Sequence, residues 1–252
     1  MTGFEVGFDM RFTIPLLAAM MLTGPALAED VAYDVSGEAF TGYFAKAEDP
    51  KGLVLIVHDW DGMTDYERKR ADMLADMGYN AFALDMFGND TPTETVDHRR
   101  AATGALYQDR DRMRSLIQAG VDQAKQLAGD TQMVVMGYCF GGAVALEMAR
   151  SDMSGMATGY ASFHGGLSTP EDQSWTGNEP PLLVLHGGAD TSITLDDVAT
   201  LAKELETAGT PYAIEVYSGA PHAFTVFGSN RYQERADTAS WDAFSTFLSE
   251  QL

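Results

Sequence analysis

The 252-residue chain holds one cysteine, Cys139, inside Gly137-Tyr138-Cys139-Phe140-Gly141-Gly142. Gln132 to Met136, just before it, is a short Met- and Val-rich run, long enough for a buried strand. Ala143 to Arg150, just after it, has a helical composition. Strand, sharp turn and helix with G-x-C-x-G at the turn is an arrangement that presents a nucleophile. Such a turn strains the backbone, and side chains two residues to either side would collide. Gly137 and Gly141 remove them. The turn also puts the thiol at a helix N-terminus, where aligned N–H groups favour an anion. A free thiol is only a few per cent thiolate at neutral pH, so its surroundings matter. A lone cysteine is most often buried and inert; the flanking glycines and the strand–helix setting favour a reactive one.

Two later residues complete a chemical set. Asp190 closes His186-Gly187-Gly188-Ala189-Asp190, and His222 lies in Gly219-Ala220-Pro221-His222-Ala223-Phe224. In this order Cys139 would attack an acyl carbon. His222 would take the thiol proton and later serve the water that releases the acyl group. Asp190 would orient the imidazole and stabilise its charged form. Asp196 and Asp197 are alternatives to Asp190, although both fall inside a predicted helix, and a structural role for His222 stays open. The tetrahedral intermediate needs two N–H donors. Phe140, after the nucleophile, and Trp60, after the first buried strand, are the candidates. His58, His164 and His186 also end predicted strands, but no H-x-x-x-H or comparable ligand pair accompanies them, so no metal is expected.

The elements that must position these residues follow from the apolar pattern. Val31–Val35 and Phe40–Ala45 alternate around Ser36-Gly37 and predict an antiparallel hairpin at a sheet edge. Leu53–Val57 is a continuous apolar run, hence a strand buried on both faces, and ends in His58-Asp59-Trp60-Asp61-Gly62. Further strands are expected at Tyr79–Leu84, Ala157–Phe163, Pro181–His186 and Tyr212–Tyr217. Helices are expected at Tyr66–Met77, from Val96 onward with a weak break near Thr103-Gly104, at Leu195–Leu205 and at Ala236–Leu248. Strand and helix alternate from residue 53 onward, which predicts an α/β fold: a doubly wound, mostly parallel sheet with helices on both faces. Ligands of such sheets sit outside the carboxyl ends of the strands, where Cys139, Asp190, His222 and the His58–Gly62 segment all fall.

The net charge is −21, which disfavours nucleic acid and anionic membrane surfaces as partners. Such a surface would suit a salty medium, or is simply that of a soluble acidic protein. Phe12 to Leu22 is an apolar run preceded by Arg11 and followed by Ala26-Leu27-Ala28, the pattern of a cleaved secretory leader too short to span a bilayer. Glu5 and Asp9 are unusual in a leader, which makes Met10 an alternative start. Residues 1–28 are therefore expected to be removed, leaving 29–252 as one domain in the periplasm or secreted. There a single cysteine cannot form an internal disulfide.

The segments His58–Gly62, Gly137–Gly142, His186–Asp190 and Gly219–Phe224 together resemble the dienelactone hydrolase family, from about Gly37 to Leu248. The resemblance implies the α/β-hydrolase fold. It implies a Cys-His-Asp triad that cleaves a small-molecule ester or lactone through an acyl-enzyme, without metal or organic cofactor. In the family a glutamate after the first central strand contacts the resting cysteine; Asp59, one methylene shorter, matches it. An arginine shortly after the histidine binds the substrate carboxylate, and Val226 stands there. Arg99, Arg100 and Arg231 are candidate substitutes, though each reads first as an exposed arginine. A broad carboxylester or lactone is thus expected rather than dienelactone itself. The rival reading is a non-catalytic or redox-sensing protein of this fold using Cys139; a third is cleavage of a thioester or peptide.

Overall fold

The structure is a computed structural model that describes residues 1–3 and 27–252. The expected leader falls almost wholly outside the described residues. Its last two residues, Leu27 and Ala28, open β1 (Leu27–Val35) and pair with Lys46 and Ala45 of β2 (Glu38–Lys46). The hairpin turn is Ser36-Gly37, both in the left-handed region at φ 56° and 87°, as a two-residue connection between right-twisted strands requires.

The chain then alternates. β3 (Leu53–Val57) is followed by α1 (Asp65–Asp76), β4 (Asn80–Leu84), α2 (Val96–Gln108) and α3 (Arg110–Ala128). β5 (Met133–Tyr138), α4 (Phe140–Arg150), β6 (Gly159–Phe163), β7 (Leu182–Gly187), α5 (Leu195–Ala208), β8 (Tyr212–Tyr217) and α6 (Glu234–Gln251) complete it. The eight strands form one sheet in the order β1-β2-β4-β3-β5-β6-β7-β8. The β1–β2 and β2–β4 pairings are antiparallel and the rest parallel, so the hairpin occupies one edge as expected.

Alternate strand residues feed two cores. Leu53, Leu55, Val57, Met133, Val135, Leu182 and Val184 pack under α3, α4 and α5. Val54, Ile56, Val134, Met136, Leu183 and Leu185 face α1 and α6. Every residue of β3, β4, β5, β6 and β7 is buried, the signature of strands covered on both sides. The sheet carries the α/β-hydrolase fold, with helices on both faces.

One expectation moves. The helix from Val96 runs through Gly104 without interruption and ends at Asp109 instead. A glycine inside a helix costs about 1 kcal/mol but leaves the hydrogen-bond ladder intact. Asp109 has a stronger local alternative: its carboxylate accepts from the Arg112 N–H at 2.9 Å and starts α3. Among the described residues no helix is long and apolar enough to cross a membrane.

Candidate active site

The turn after β5 shows why its glycines are needed. A Cβ on Gly137 would lie 2.1 Å from the Gly141 carbonyl carbon, and one on Gly141 would lie 2.1 Å from the Val57 carbonyl oxygen. Cys139 takes φ 51°, a conformation that non-glycine residues seldom adopt, and its N–H is tied to the Phe163 carbonyl at 3.0 Å. The helix begins at once, at Phe140 rather than Ala143, so Cys139 is the N-cap of α4. Its side chain is held out over the carboxyl edge of the sheet, partly exposed.

His222 and Asp190 meet it there. The His222 Nε2 lies 3.2 Å from the Cys139 Sγ, and the His222 Nδ1 lies 2.7 Å from the Asp190 Oδ2. Asp190 is fixed in turn: its Oδ1 accepts from the Ser192 and Ile193 N–H groups at 2.8 and 3.0 Å. Burial alone would raise the Asp190 carboxyl, but His222 and those two N–H groups outweigh it and hold it below the usual carboxylate value. Asp197 is spent elsewhere, in the capping box of α5 with Thr194, and Asp196 sits in that helix's first turn.

The thiol is not poised as an anion. Burial pushes Cys139 well above its ordinary value and the Asp59 carboxylate adds to this, while the Phe140 and Trp60 N–H groups pull the other way and lose. The helix N-terminus expected to favour a thiolate is thus overridden by desolvation. Asp59 stands near enough to raise the thiol's pKa, and its carboxylate accepts from the Trp60 N–H. Its own carboxyl is pushed up to about 7 by burial, with Asp61 and Glu67 adding to the effect. Glu67 is likewise raised to about 7 by burial, although Thr64 and backbone N–H groups oppose it. Of the two expected oxyanion donors, the Trp60 N–H is held by the Asp59 carboxylate, and both it and the Phe140 N–H oppose the rise in the thiol's pKa.

The remaining strand-end histidines do not gather into one cluster. His58 uses both ring nitrogens on backbone, Nδ1 to the Asp59 carbonyl at 2.6 Å and Nε2 from the Met86 N–H at 3.0 Å. Burial lowers its pKa, so it is a neutral strut. His164 bonds Thr225 at 2.9 Å. Among the described residues no group of three or more His, Cys, Asp or Glu is placed to hold a metal ion.

A cavity of about 370 Å³ opens over the thiol, lined by Asp59, Trp60, Tyr107, Phe140, Ile193 and His222 together with Arg100 and Arg231. Residues 40–252 match the model of the dienelactone hydrolase family. The chain belongs to that family. A candidate carboxymethylenebutenolidase of Aquifex aeolicus is 24% identical over 203 residues, which span 79% of this chain and 87% of that protein. Its counterpart from Salmonella typhimurium is 26% identical over 245 residues, 90% of this chain and 89% of that one. Among solved structures, a dienelactone hydrolase-like promiscuous phosphotriesterase from metagenomic libraries is 27% identical with a TM-score of 0.79, covering 90% of this chain and 99% of that chain.

Within the family pattern two findings adjust the sequence reading. Val226, at the position of the family arginine, packs against the core under α1 and α6. Two of the three candidate arginines are not idle: Arg100, from α2, and Arg231, from the loop before α6, reach the cavity wall. Arg99 instead bonds the Thr93 carbonyl at 2.6 Å and lies over the Trp60 ring. The sequence reading also missed Tyr107. Nothing local in the sequence singles it out, and its place beside Phe140, ring centroids 5.6 Å apart, brings it to the site.

Proposed function

We propose that the chain hydrolyses carboxylic esters or lactones with Cys139 as nucleophile, His222 as base and then acid, and Asp190 as the orienting carboxylate. The observation that carries this reading is the unbroken chain from Sγ to imidazole to carboxylate, 3.2 and 2.7 Å long. Cys139 gives its proton to His222 as sulfur bonds to the carbonyl carbon. The oxyanion takes the N–H groups of Phe140 and Trp60, for which the Asp59 carboxylate must yield its hold on Trp60. Collapse of this intermediate breaks the C–O bond to the alcohol, which leaves with the proton from His222. Water, activated by His222, then attacks the thioester and frees the acid and the thiol.

The guanidinium groups of Arg100 and Arg231 at the cavity wall support substrates that carry a carboxylate away from the scissile bond. The redox-sensor reading fits less well, because oxidation follows thiolate character and both burial and Asp59 oppose the thiolate. Export to the periplasm or beyond belongs to the same proposal, and N-terminal sequencing of the protein purified from its cells tests it by a start near Glu29.

The deciding assay is hydrolysis of p-nitrophenyl acetate and of an unsaturated lactone by the protein and by Cys139→Ala. The expected result is a burst of p-nitrophenol equal to the enzyme present, and loss of turnover by about 10³-fold or more in the variant. Equal rates in both proteins would overturn the assignment of the nucleophile.

A further inference from the structure

Behind His222, on the side away from the cavity, lies a buried polar chain that the triad does not account for. Arg70 of α1 is wholly buried, and it lies over the rings of Tyr66, Phe227 and Trp241 at 5.2, 4.3 and 4.8 Å. Its Nε donates to the Tyr66 hydroxyl at 3.3 Å, and one terminal nitrogen donates to the Thr225 carbonyl at 3.0 Å and to Asp237 of α6. The Tyr66 hydroxyl lies 2.7 Å from the Thr225 hydroxyl, which lies 2.9 Å from the His164 Nε2.

The direction of these bonds follows from the donor at one end. Arg70 can only donate, so Tyr66 accepts from it and has its own hydrogen for Thr225. Thr225 then has its hydrogen for His164, whose ring burial keeps neutral and able to accept. Each hydroxyl accepts one bond and donates one, so a single rotor state satisfies both hydroxyls and leaves the buried His164 Nδ1 without a partner among the described residues.

Thr225 is three residues beyond His222, at the far end of a tight turn. Within that turn Ala223 takes φ 61°, and the Val226 N–H returns to the Ala223 carbonyl at 3.2 Å. His164, itself at φ 41°, sets its ring edge-on against both His222 and Phe224, at 5.4 Å in each case. Non-glycine residues hold such conformations only where their surroundings enforce them. Contacts that hold both segments meet at one residue: α1 holds the Thr225 carbonyl through Arg70 and its hydroxyl through Tyr66, and the same hydroxyl bonds His164.

We propose that Thr225, clamped by Arg70 and Tyr66, is a positioning residue that fixes the turn carrying His222 and the His164 ring against which His222 rests. It touches neither the thiol nor the cavity and acts through His222. This inference rests on the triad reading above, so one readout is chosen that needs no substrate.

The test pairs Thr225→Val, which keeps the shape and loses the hydroxyl, with Thr225→Ser, which keeps the hydroxyl. Tyr66→Phe serves as a second variant, removing only the upstream hydroxyl. Each is checked for a cooperative unfolding transition above the assay temperature. Alkylation of Cys139 by iodoacetamide from pH 6 to 9 then reports the His222–Cys139 pair directly, with His222→Ala as the lower limit. Thr225→Val is expected to slow alkylation at pH 7.5 by about 10-fold and to lower kcat on p-nitrophenyl acetate by a similar factor, with KM within about 2-fold of the parent. Thr225→Ser should restore both to within about 2-fold, and Tyr66→Phe should fall between. Folded Thr225→Val that alkylates like the parent, or valine and serine variants that fall alike, would overturn the proposal. Should Thr225→Val fail to fold, a parent-like alkylation profile in Tyr66→Phe would overturn it equally. Insensitivity of alkylation to His222→Ala would instead sink the triad reading.

Discussion

Two clusters of buried ionisable groups flank the nucleophile, and they are built on opposite principles. Behind His222, Arg70 meets Asp237, a carbonyl, a hydroxyl and several aromatic faces, with side-chain exposures of 1% and 8% for the ion pair. On the other flank Asp59 and Glu67 are both buried near Asp61, and the Arg99 guanidinium stands 3.9 Å from Asp61 rather than from either of them. A charge with its opposite and with every donor used fixes geometry. Carboxyls taken out of water without a cation beside them hold protons instead: burial, with the neighbouring Asp61 adding to it, pushes Asp59 and Glu67 both up to about 7. One flank therefore sets where the imidazole sits, and the other sets how the proton of the thiol is held.

Removing the residue between the flanks has the largest expected effect. His222→Ala should lower ester turnover by about 10³-fold or more and leave thermal stability within about 1 kcal/mol, as followed by steady-state rates and urea unfolding. A variant retaining a tenth of the activity would mean that another base, such as Asp59, serves the thiol.

The contrast sharpens on stability. Arg70→Met leaves Asp237 buried without its partner, for which a loss of about 3–5 kcal/mol is expected in urea unfolding. The double variant Arg70→Met/Asp237→Leu should recover much of that loss, since two apolar groups replace a charge pair. Failure to recover would place the value of the pair in its bonds to Thr225 and Tyr66 rather than in the charge balance.

On the acidic flank the sign reverses. The carboxyl of Asp59 titrates near 4 when unfolded and at about 7 when folded, so the folded protein holds the extra proton between those values. That contribution is complete below pH 4 and is lost as the pH rises through 7. Asp59→Asn stays uncharged throughout. Its melting temperature should match the parent at pH 4.5 and exceed it by about 5 °C at pH 8, with a residual slope from Glu67. A melting temperature below the parent at pH 8 would show that the charged carboxylate is compensated after all.

The smallest effect concerns the cavity wall. Arg231→Ala should raise KM about 5-fold for an ester bearing a distal carboxylate and leave the uncharged acetate ester unchanged. An equal change for both would remove the carboxylate from the substrate description.

Much of this was legible before folding, and unevenly so. The Leu53–Val57 and Tyr212–Tyr217 strands fall on the predicted residues, because apolar runs and alternation between turn residues admit little else. The turn at Cys139 was legible because backbone sterics act over two residues: only glycine survives 2.1 Å from another main chain. Ambiguity between Asp190, Asp196 and Asp197 was open in the sequence and closes on one hydrogen bond, since only Asp190 has its carboxylate on His222. Arg100 and Arg231 were legible only as candidates beside Arg99, and Tyr107 not at all, because nothing local distinguishes a helix or loop side chain facing solvent from one facing a cleft.

The state of the thiol marks the boundary. Sequence alone determined that Cys139 stands at a strained turn before a helix, since steric exclusion and chain direction are short-range. Whether that thiol is an anion was decided by tertiary structure. Burial and the approach of Asp59 from a different strand end outweigh the helix terminus, because desolvation depends on every atom packed around the sulfur and not on its neighbours in the chain.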